Sequence, residues 1–276
     1  MKKTGIIIQF LHYNKKFIPY LPTNQMSNPP STTQSPTLAS AMLFAAGIGS
    51  RLKPWTDNHP KALAIVNGKS LLQRNITYLQ QHHIFNVVIN VHHFAEQIIE
   101  ALEKNKGWGS QFSISDESDD LLETGGGLVK AAPLLSHQQP IVMLNADMLT
   151  NADIRAMLTF HNTHNPLATL ATSNRISSRS LFFDSDNKLC GWRNNSNKEE
   201  KGTISGNNLM ACAFNGLHII DPNLFSLITI QGKFSIMDVY LKLMSTHAIK
   251  SFDCSLAKVI DVGKPESIKQ AEALFD

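Results

Sequence analysis

The chain has 276 residues, 42% hydrophobic and 17% charged, with a formal net charge of +3. This is the profile of a globular protein and excludes a wholly disordered or fibrous one. No run of about eighteen apolar residues occurs, so no membrane-spanning helix and no membrane partner are expected. The positive charge sits at the start: residues 1–40 carry Lys2, Lys3, Lys15 and Lys16 with no Asp or Glu, and removing those four from +3 leaves −1 for residues 41–276. A nucleic-acid partner is therefore not expected. Cys190, Cys212 and Cys254 lie far apart without metal or redox spacing, which suits a reduced, cytoplasmic setting.

Residues 1–40 hold five of the twelve prolines, and residues 23–40 are dominated by Ser, Thr, Asn, Gln and Pro. Such a stretch buries too little apolar surface to offset its ordering entropy, so a disordered N-terminal extension is predicted, with Met26 as an alternative start. The apolar run 5–11 is broken by Gln9 and makes a poor secretory signal. From Ala41 onward, β-rich apolar runs alternate with amphipathic stretches, which predicts one α/β domain over 41–276 with a largely parallel sheet. Strands are expected over 41–45, 86–91, 112–115, 141–144, 168–172, 211–217 and 249–253.

Ser70 is placed to cap a helix with Leu71, Leu72, Ile76 and Leu79 on its apolar face, and residues 94–102 form another with Ile98 and Ile99 inward. Asp153 reads as a further cap. Ser235 with Asp238 reads as a capping box for a helix through residue 244. Residues 174–208 are polar and predict a hairpin inserted near the site, with strands over 181–183 and 188–192 and a mobile tip over 194–206.

The segment from Leu43 through Thr56 contains Ala45, Ala46, Gly47, Gly49, Ser50, Arg51 and Pro54, and is followed by Pro60 and Lys61. A strand ending in small residues and a glycine turn lets backbone N–H groups approach a phosphate, and Arg51 and Lys61 add positive charge. A dinucleotide fingerprint needs glycine at position 52, which is Leu52. A P-loop ending at Gly68, Lys69 and Ser70 needs glycine at position 63, which is Leu63. Both readings fall, and a phosphate cradle remains.

The pattern G-x-G-x-R-x-x-P-x-T followed by P-K resembles the signature of the sugar-1-phosphate nucleotidyltransferases, with Ser50 where Thr is usual and Trp55 in place of Leu. The resemblance covers residues 41–276. It implies a Rossmann-like three-layer α/β/α fold of the GT-A type. It also implies transfer of a nucleotidyl group from a nucleoside triphosphate to a sugar 1-phosphate. Lys61 would bridge the α-phosphate and the incoming phosphate, while Arg51 and the backbone of residues 47–50 hold the departing pyrophosphate.

Glu123, Thr124, Gly125, Gly126 and Gly127 precede a helix expected near Leu128. Alone, this run reads equally as a flexible loop or as open backbone donors. Resemblance assigns Gly126 to a nucleobase contact and Glu123 to a sugar hydroxyl. The E-T-G-G-G form is similar to a branch that includes N-acetylmuramate-1-phosphate uridylyltransferases, which points to UTP with N-acetylmuramate 1-phosphate. The alternative is GTP with mannose 1-phosphate or a heptose 1-phosphate.

An apolar strand over 141–144 leads to Asn145 and Asp147, at the strand end where open parallel sheets bind ligands. A lone Asp there is most often a turn residue, but Asp261 lies in a segment resembling the family's D-I-G-T-P-E motif. The pair implies Mg²⁺ held by Asp147 and Asp261 with phosphate oxygens and waters. Gly216 and Asp238 are assigned by resemblance to the sugar pocket, where Asn145 is also expected, and Asn90, at another strand end, is expected to line the nucleotide site. His218 alone reads as a packed or surface residue, and His161 and His164 as surface residues. A catalytically silent sugar-nucleotide-binding regulator is the rival reading, disfavoured because Arg51, Lys61, Asp147 and Asp261 are all kept.

Overall fold

The structure, a computed structural model, describes residues 39–204 and 208–276. Residues 1–38 of the expected extension, and residues 205–206 of the expected tip together with residue 207, lie outside the described residues. Ala39 and Ser40 belong to the fold instead: both are buried, and Ser40 opens the first strand.

In chain order the strands are β1 (Ser40–Phe44), β2 (Ile65–Val66), β3 (Lys69–Ser70), β4 (Asn86–Val91), β5 (Gln111–Asp116), β6 (Ile141–Asn145), β7 (Met148–Thr150), β8 (Ala168–Ser173), β9 (Arg179–Phe183), β10 (Leu189–Asn194), β11 (Glu200–Gly202), β12 (Met210–Ile220), β13 (Ile249–Asp253) and β14 (Val259–Asp261). The helices are α1 (Leu71–Gln81), α2 (Ala95–Lys104), α3 (Glu123–Ala131), α4 (Ile154–His164), α5 (Leu224–Leu227), α6 (Ile236–Leu243) and α7 (Pro265–Leu274). The main sheet runs β11-β10-β9-β12-β6-β1-β4-β5, with β8 and β13 joined through β12. One end of it, β6-β1-β4-β5, is parallel throughout. The polar insertion contributes the hairpin β9–β10 and a third strand, β11, which its polar composition had concealed.

Side chains of a strand alternate between faces, and a parallel sheet needs both faces covered. Ala41 and Leu43 of β1 pack with Leu72, Ile76, Ile98 and Met157 from α1, α2 and α4. Met42 points the other way, into a second core with Leu128 of α3 and Val239 and Tyr240 of α6. The result is the expected α/β architecture with helices on both sides of the sheet.

Local capping follows the sequence reading. Ser70 Oγ accepts from the Gln73 amide at 3.1 Å, and Asp153 Oδ1 from the Arg155 and Ala156 amides at 2.9 and 3.1 Å. Ser235 Oγ accepts from the Met237 amide at 3.2 Å, but the Asp238 carboxylate, expected to complete a capping box, pairs with Lys201 at 3.4 Å. All three cysteines are free.

His161, expected at the surface, is 2% exposed. It falls on the inward face of α4 beside Ile154, Met157 and Leu158, and its Nδ1 meets Thr169 Oγ1 at 2.9 Å. His164 is exposed, as expected. His218 is packed against the Tyr240 hydroxyl at 2.6 Å. Burial pulls His161 from 6.5 down to about 4 and His218 down to about 3. Both are neutral in the fold but protonate in the unfolded chain below about 6.5, so the unfolded state takes up more protons as pH falls. The melting temperature should therefore drop as pH is lowered from 6.5 toward 4. His161→Gln should flatten that drop in a pH series of thermal melts, and an unchanged slope would contradict the assignment.

Candidate active site

Phe44 lies in register with Asn90 on one side and Asn145 on the other, so β1, β4 and β6 end together at one edge of the sheet. Ligands of open α/β sheets bind outside such carboxyl ends. Beyond β1 the chain turns through Gly49, at φ 67, a left-handed conformation that favours glycine. A Cβ at Gly49 would lie 2.9 Å from Lys61 Cβ and 3.0 Å from Thr56 Cγ2. The turn therefore packs directly on Lys61, and Thr56 Oγ1 donates to the Gly49 carbonyl at 3.0 Å to hold it.

Lys61 is 8% exposed, and its ammonium donates to Asp147 Oδ2 while lying 3.7 Å from Asp261 Oδ1. Arg51 Nη2 is 3.4 Å from Asp261 Oδ2. Asp147 occupies the turn between β6 and β7, and β7 pairs antiparallel with β14, setting Asp261 opposite Met148. The Val262 amide donates to the Asp147 carbonyl at 2.9 Å and closes the junction. Beneath it, Leu52, Leu149, Val262 and Ala271 form a separate small apolar cluster that ties the glycine turn to α7.

A cleft of about 330 Å³ opens beside these charges, lined among others by Phe44, Ala46, Lys61, Thr124, Asp147 and Ser235. At one side β12 breaks its register with β8 between Phe214 and His218, and Gly216 adopts φ 73. A Cβ there would lie 2.7 Å from Met148 Cγ and 3.2 Å from Asn145 Nδ2. Gly216 and Asn145 thus face one another. Arg175 donates through Nη2 to the Phe214 carbonyl at 2.7 Å and through Nε to Asn215 Oδ1 at 3.1 Å, bracing the kinked segment. Burial pulls its guanidinium below the usual arginine value, and the charge of Asp261 opposes that shift.

Residues 40–179 match the family model described as nucleotidyl transferase. The chain belongs to this family. It is 40% identical over 116 residues to an N-acetylmuramate alpha-1-phosphate uridylyltransferase from Neisseria meningitidis, covering 42% of this chain and 50% of that protein. It is 24% identical over 236 residues to a mannose-1-phosphate guanyltransferase from Yarrowia lipolytica, covering 85% of this chain and 63% of that one. The chain spans about half the length of the uridylyltransferases it matches. The solved structure of HddC from Yersinia pseudotuberculosis complexed with GMP-PN superposes with a TM-score of 0.69 at 21% identity, covering 86% of this chain and all of that one. At that identity the likeness speaks for the fold.

The fold brings together Arg51, Lys61, Asp147 and Asp261, which the family signature and the two acidic motifs singled out. Ala45, Ala46, Gly47, Asn90, Glu123 and Asn145 line the cleft as well. Gly49 and Ser50 lie in the turn beside them, Ser50 exposed at the start of a single 3₁₀ turn. Two of the cleft residues are also engaged within the fold. The Ala45 amide donates to Asn90 Oδ1 at 2.8 Å, and Asn90 Nδ2 donates to Glu117 Oε1 at 2.7 Å, so Asn90 acts as a buried strut. Glu123 pairs with Lys233 at 3.9 Å, an exposed contact like that of Lys201 with Asp238. Glu117, Arg175, Lys201 and Lys233 were not anticipated, since each stands in a polar stretch without a distinguishing pattern.

The glycine triplet requires the clearest correction. The helix starts at Glu123 rather than near Leu128, and the glycines lie inside it. The Gly125 and Gly126 amides donate to the Phe234 carbonyl at 2.9 and 3.2 Å, so the expected open donor at Gly126 is engaged within the fold. Glycine is required for close approach. A Cβ at Gly125 would lie 2.4 Å from the Phe234 ring, and one at Gly126 would lie 2.2 Å from the Gly232 carbonyl. Gly126→Ala should destabilise the fold by about 1–3 kcal/mol, the usual cost of overpacking a site that cannot yield. Denaturant titration would show it, and an unchanged midpoint would refute the packing argument.

Proposed function

We propose that this chain is a Mg²⁺-dependent sugar-1-phosphate nucleotidyltransferase, formed by residues 41–276 as one domain. The observation that carries the reading is the meeting of Lys61 and Arg51 with Asp147 and Asp261 at the mouth of a cleft walled by a glycine turn. A phosphate oxygen of the sugar 1-phosphate attacks the α-phosphorus of the nucleoside triphosphate. One P–O bond forms there as the bond to the departing pyrophosphate breaks. The nucleophile is already an anion, so no side chain need become covalently attached. The protein must hold two negatively charged reactants together and balance the charge that develops on the phosphoryl oxygens. In this reading Lys61, held between two carboxylates, bridges the two phosphates, and Arg51 neutralises the leaving pyrophosphate.

Asp147 and Asp261 both lie within ion-pair reach of one ammonium and present an oxygen-only donor pair, the chemistry Mg²⁺ prefers. Among the described residues no group of three ligating side chains forms, so phosphate oxygens and waters would supply the remaining positions. Bound there, Mg²⁺ neutralises triphosphate charge and orients the reacting groups. Lys61→Ala and Asp147→Asn should each lower turnover by at least ~100-fold, as removal of one preorganised electrostatic contact does. Pyrophosphate release, with melting temperature as the check on folding, measures this. Wild-type turnover in either variant would reject the assigned roles.

UTP with N-acetylmuramate 1-phosphate is the leading substrate pair, supported by the 40% identity to the Neisseria uridylyltransferase. GTP with mannose 1-phosphate or a heptose 1-phosphate is the second reading, favoured by the longer alignment to the guanyltransferase of Yarrowia. A ligand that binds only the native state at ~100 times its Kd adds about 2.7 kcal/mol of stability. UTP should therefore raise the melting temperature more than GTP in the presence of Mg²⁺, with the gain lost on chelation. A larger shift with GTP would select the second reading. A nucleotide-dependent shift without pyrophosphate release from any pair would leave only a silent binding protein.

A further inference from the structure

We propose that Glu117 is a positioning residue for the nucleotide end of the cleft, its carboxylate locking Asn90 and the entry to α3 into one arrangement. The inference rests on the nucleotidyltransferase reading. Glu117 is 0% exposed and follows directly from β5. Its Oε1 accepts from Asn90 Nδ2 at 2.7 Å, and its Oε2 accepts from the Leu122 amide at 3.1 Å. Asn90 Oδ1 in turn accepts from the Ala45 amide at 2.8 Å. The chain of donors has only one consistent direction. A backbone amide can only donate, so Ala45 forces the Asn90 oxygen toward itself and the Asn90 NH₂ toward Glu117. Leu122 supplies a second obligatory donor. The group at position 117 must therefore accept at both ends, which a carboxylate does at full strength and a carboxamide, with NH₂ at one end, does not.

The same requirement accounts for Gly127. A Cβ there would lie 2.5 Å from Glu117 Oε1 and 3.0 Å from Asn90 Nδ2. Burial raises the Glu117 carboxyl above its usual value, and the Asn90 and Leu122 hydrogen bonds with the charges of Lys130 and His92 oppose that rise. His92 Nδ1 also contacts the Glu117 carbonyl at 2.7 Å, and the Glu117 amide donates to the Val91 carbonyl at 2.7 Å. One side chain thus joins the first residue of the glycine turn, the end of β4 and the start of α3, all bordering the cleft.

The test is a polarity swap. Glu117→Gln turns an NH₂ group against one of two donors. Combining it with Asn90→Asp restores every hydrogen bond and keeps the charge, since the introduced aspartate accepts both from the Ala45 amide and from the introduced carboxamide. Glu117→Gln should raise KM for the triphosphate about tenfold with little change in KM for the sugar phosphate, the size expected for one lost buried hydrogen bond. Hydrogen exchange at the Leu122 amide should quicken to a similar degree, a readout independent of turnover. The double variant should return both to near wild type. Wild-type exchange and triphosphate KM in Glu117→Gln would overturn the proposal. So would an equal loss in both KM values, or a double variant no better than the single. If the single variant does not fold, recovery of fold and triphosphate KM by the double supports the proposal, and an unfolded double overturns it. A wild-type chain with protected Leu122 but no turnover would instead count against the enzymatic reading alone.

Discussion

The ammonium of Lys61 is almost fully enclosed and has two carboxylates within ion-pair distance. Each partner makes the others tolerable. An enclosed ammonium is costly without a counter-charge, and two carboxylates converging on one point repel without a cation between them. The arrangement also demands a particular chain path, because Asp147 follows the central strand β6 whereas Asp261 arrives near the end of the chain. The short β7–β14 ladder and the apolar cluster of Leu52, Leu149, Val262 and Ala271 lie at this junction and hold it closed.

The opposite end of the cleft is built on a different physical basis. There the fold relies on close backbone approach and on fully matched neutral donors around one buried carboxylate. Gly125, Gly126 and Gly127 let α3 lie against Phe234, Gly232 and Glu117 at distances no Cβ would permit. The Gly125 and Gly126 amides, the second of which was expected to meet a nucleobase, serve to fasten α3 to the segment before α6. This end of the cleft is closely packed, and what it offers a ligand is shape and the edges of a preformed wall.

Exposed ion pairs join Glu123 with Lys233 and Asp238 with Lys201. Pairs of this kind contribute little to stability and exchange partners readily. They leave both signs of charge at the surface beside the cleft. Arg175 braces the kinked strand at Gly216 and feels the charge of Asp261, and so links that strand to the charged cluster.

Much of this was legible along the chain. Strand positions, the caps at Ser70, Asp153 and Ser235, and the cradle bearing Arg51 and Lys61 follow from patterns spanning a few residues, because periodicity, capping and glycine turns are local effects. Only the tertiary structure decided which charges meet. The strands β7 and β14 have three residues each, too few to declare a period, and each gains its meaning from a partner far away in sequence. Glu117 is one of several acids in a polar loop until folding removes its water and supplies matched donors. His161 looks like any helix histidine until α4 turns it inward. Burial and pairing are properties of the assembled sheet and helices, and a residue acquires them only when distant segments close around it.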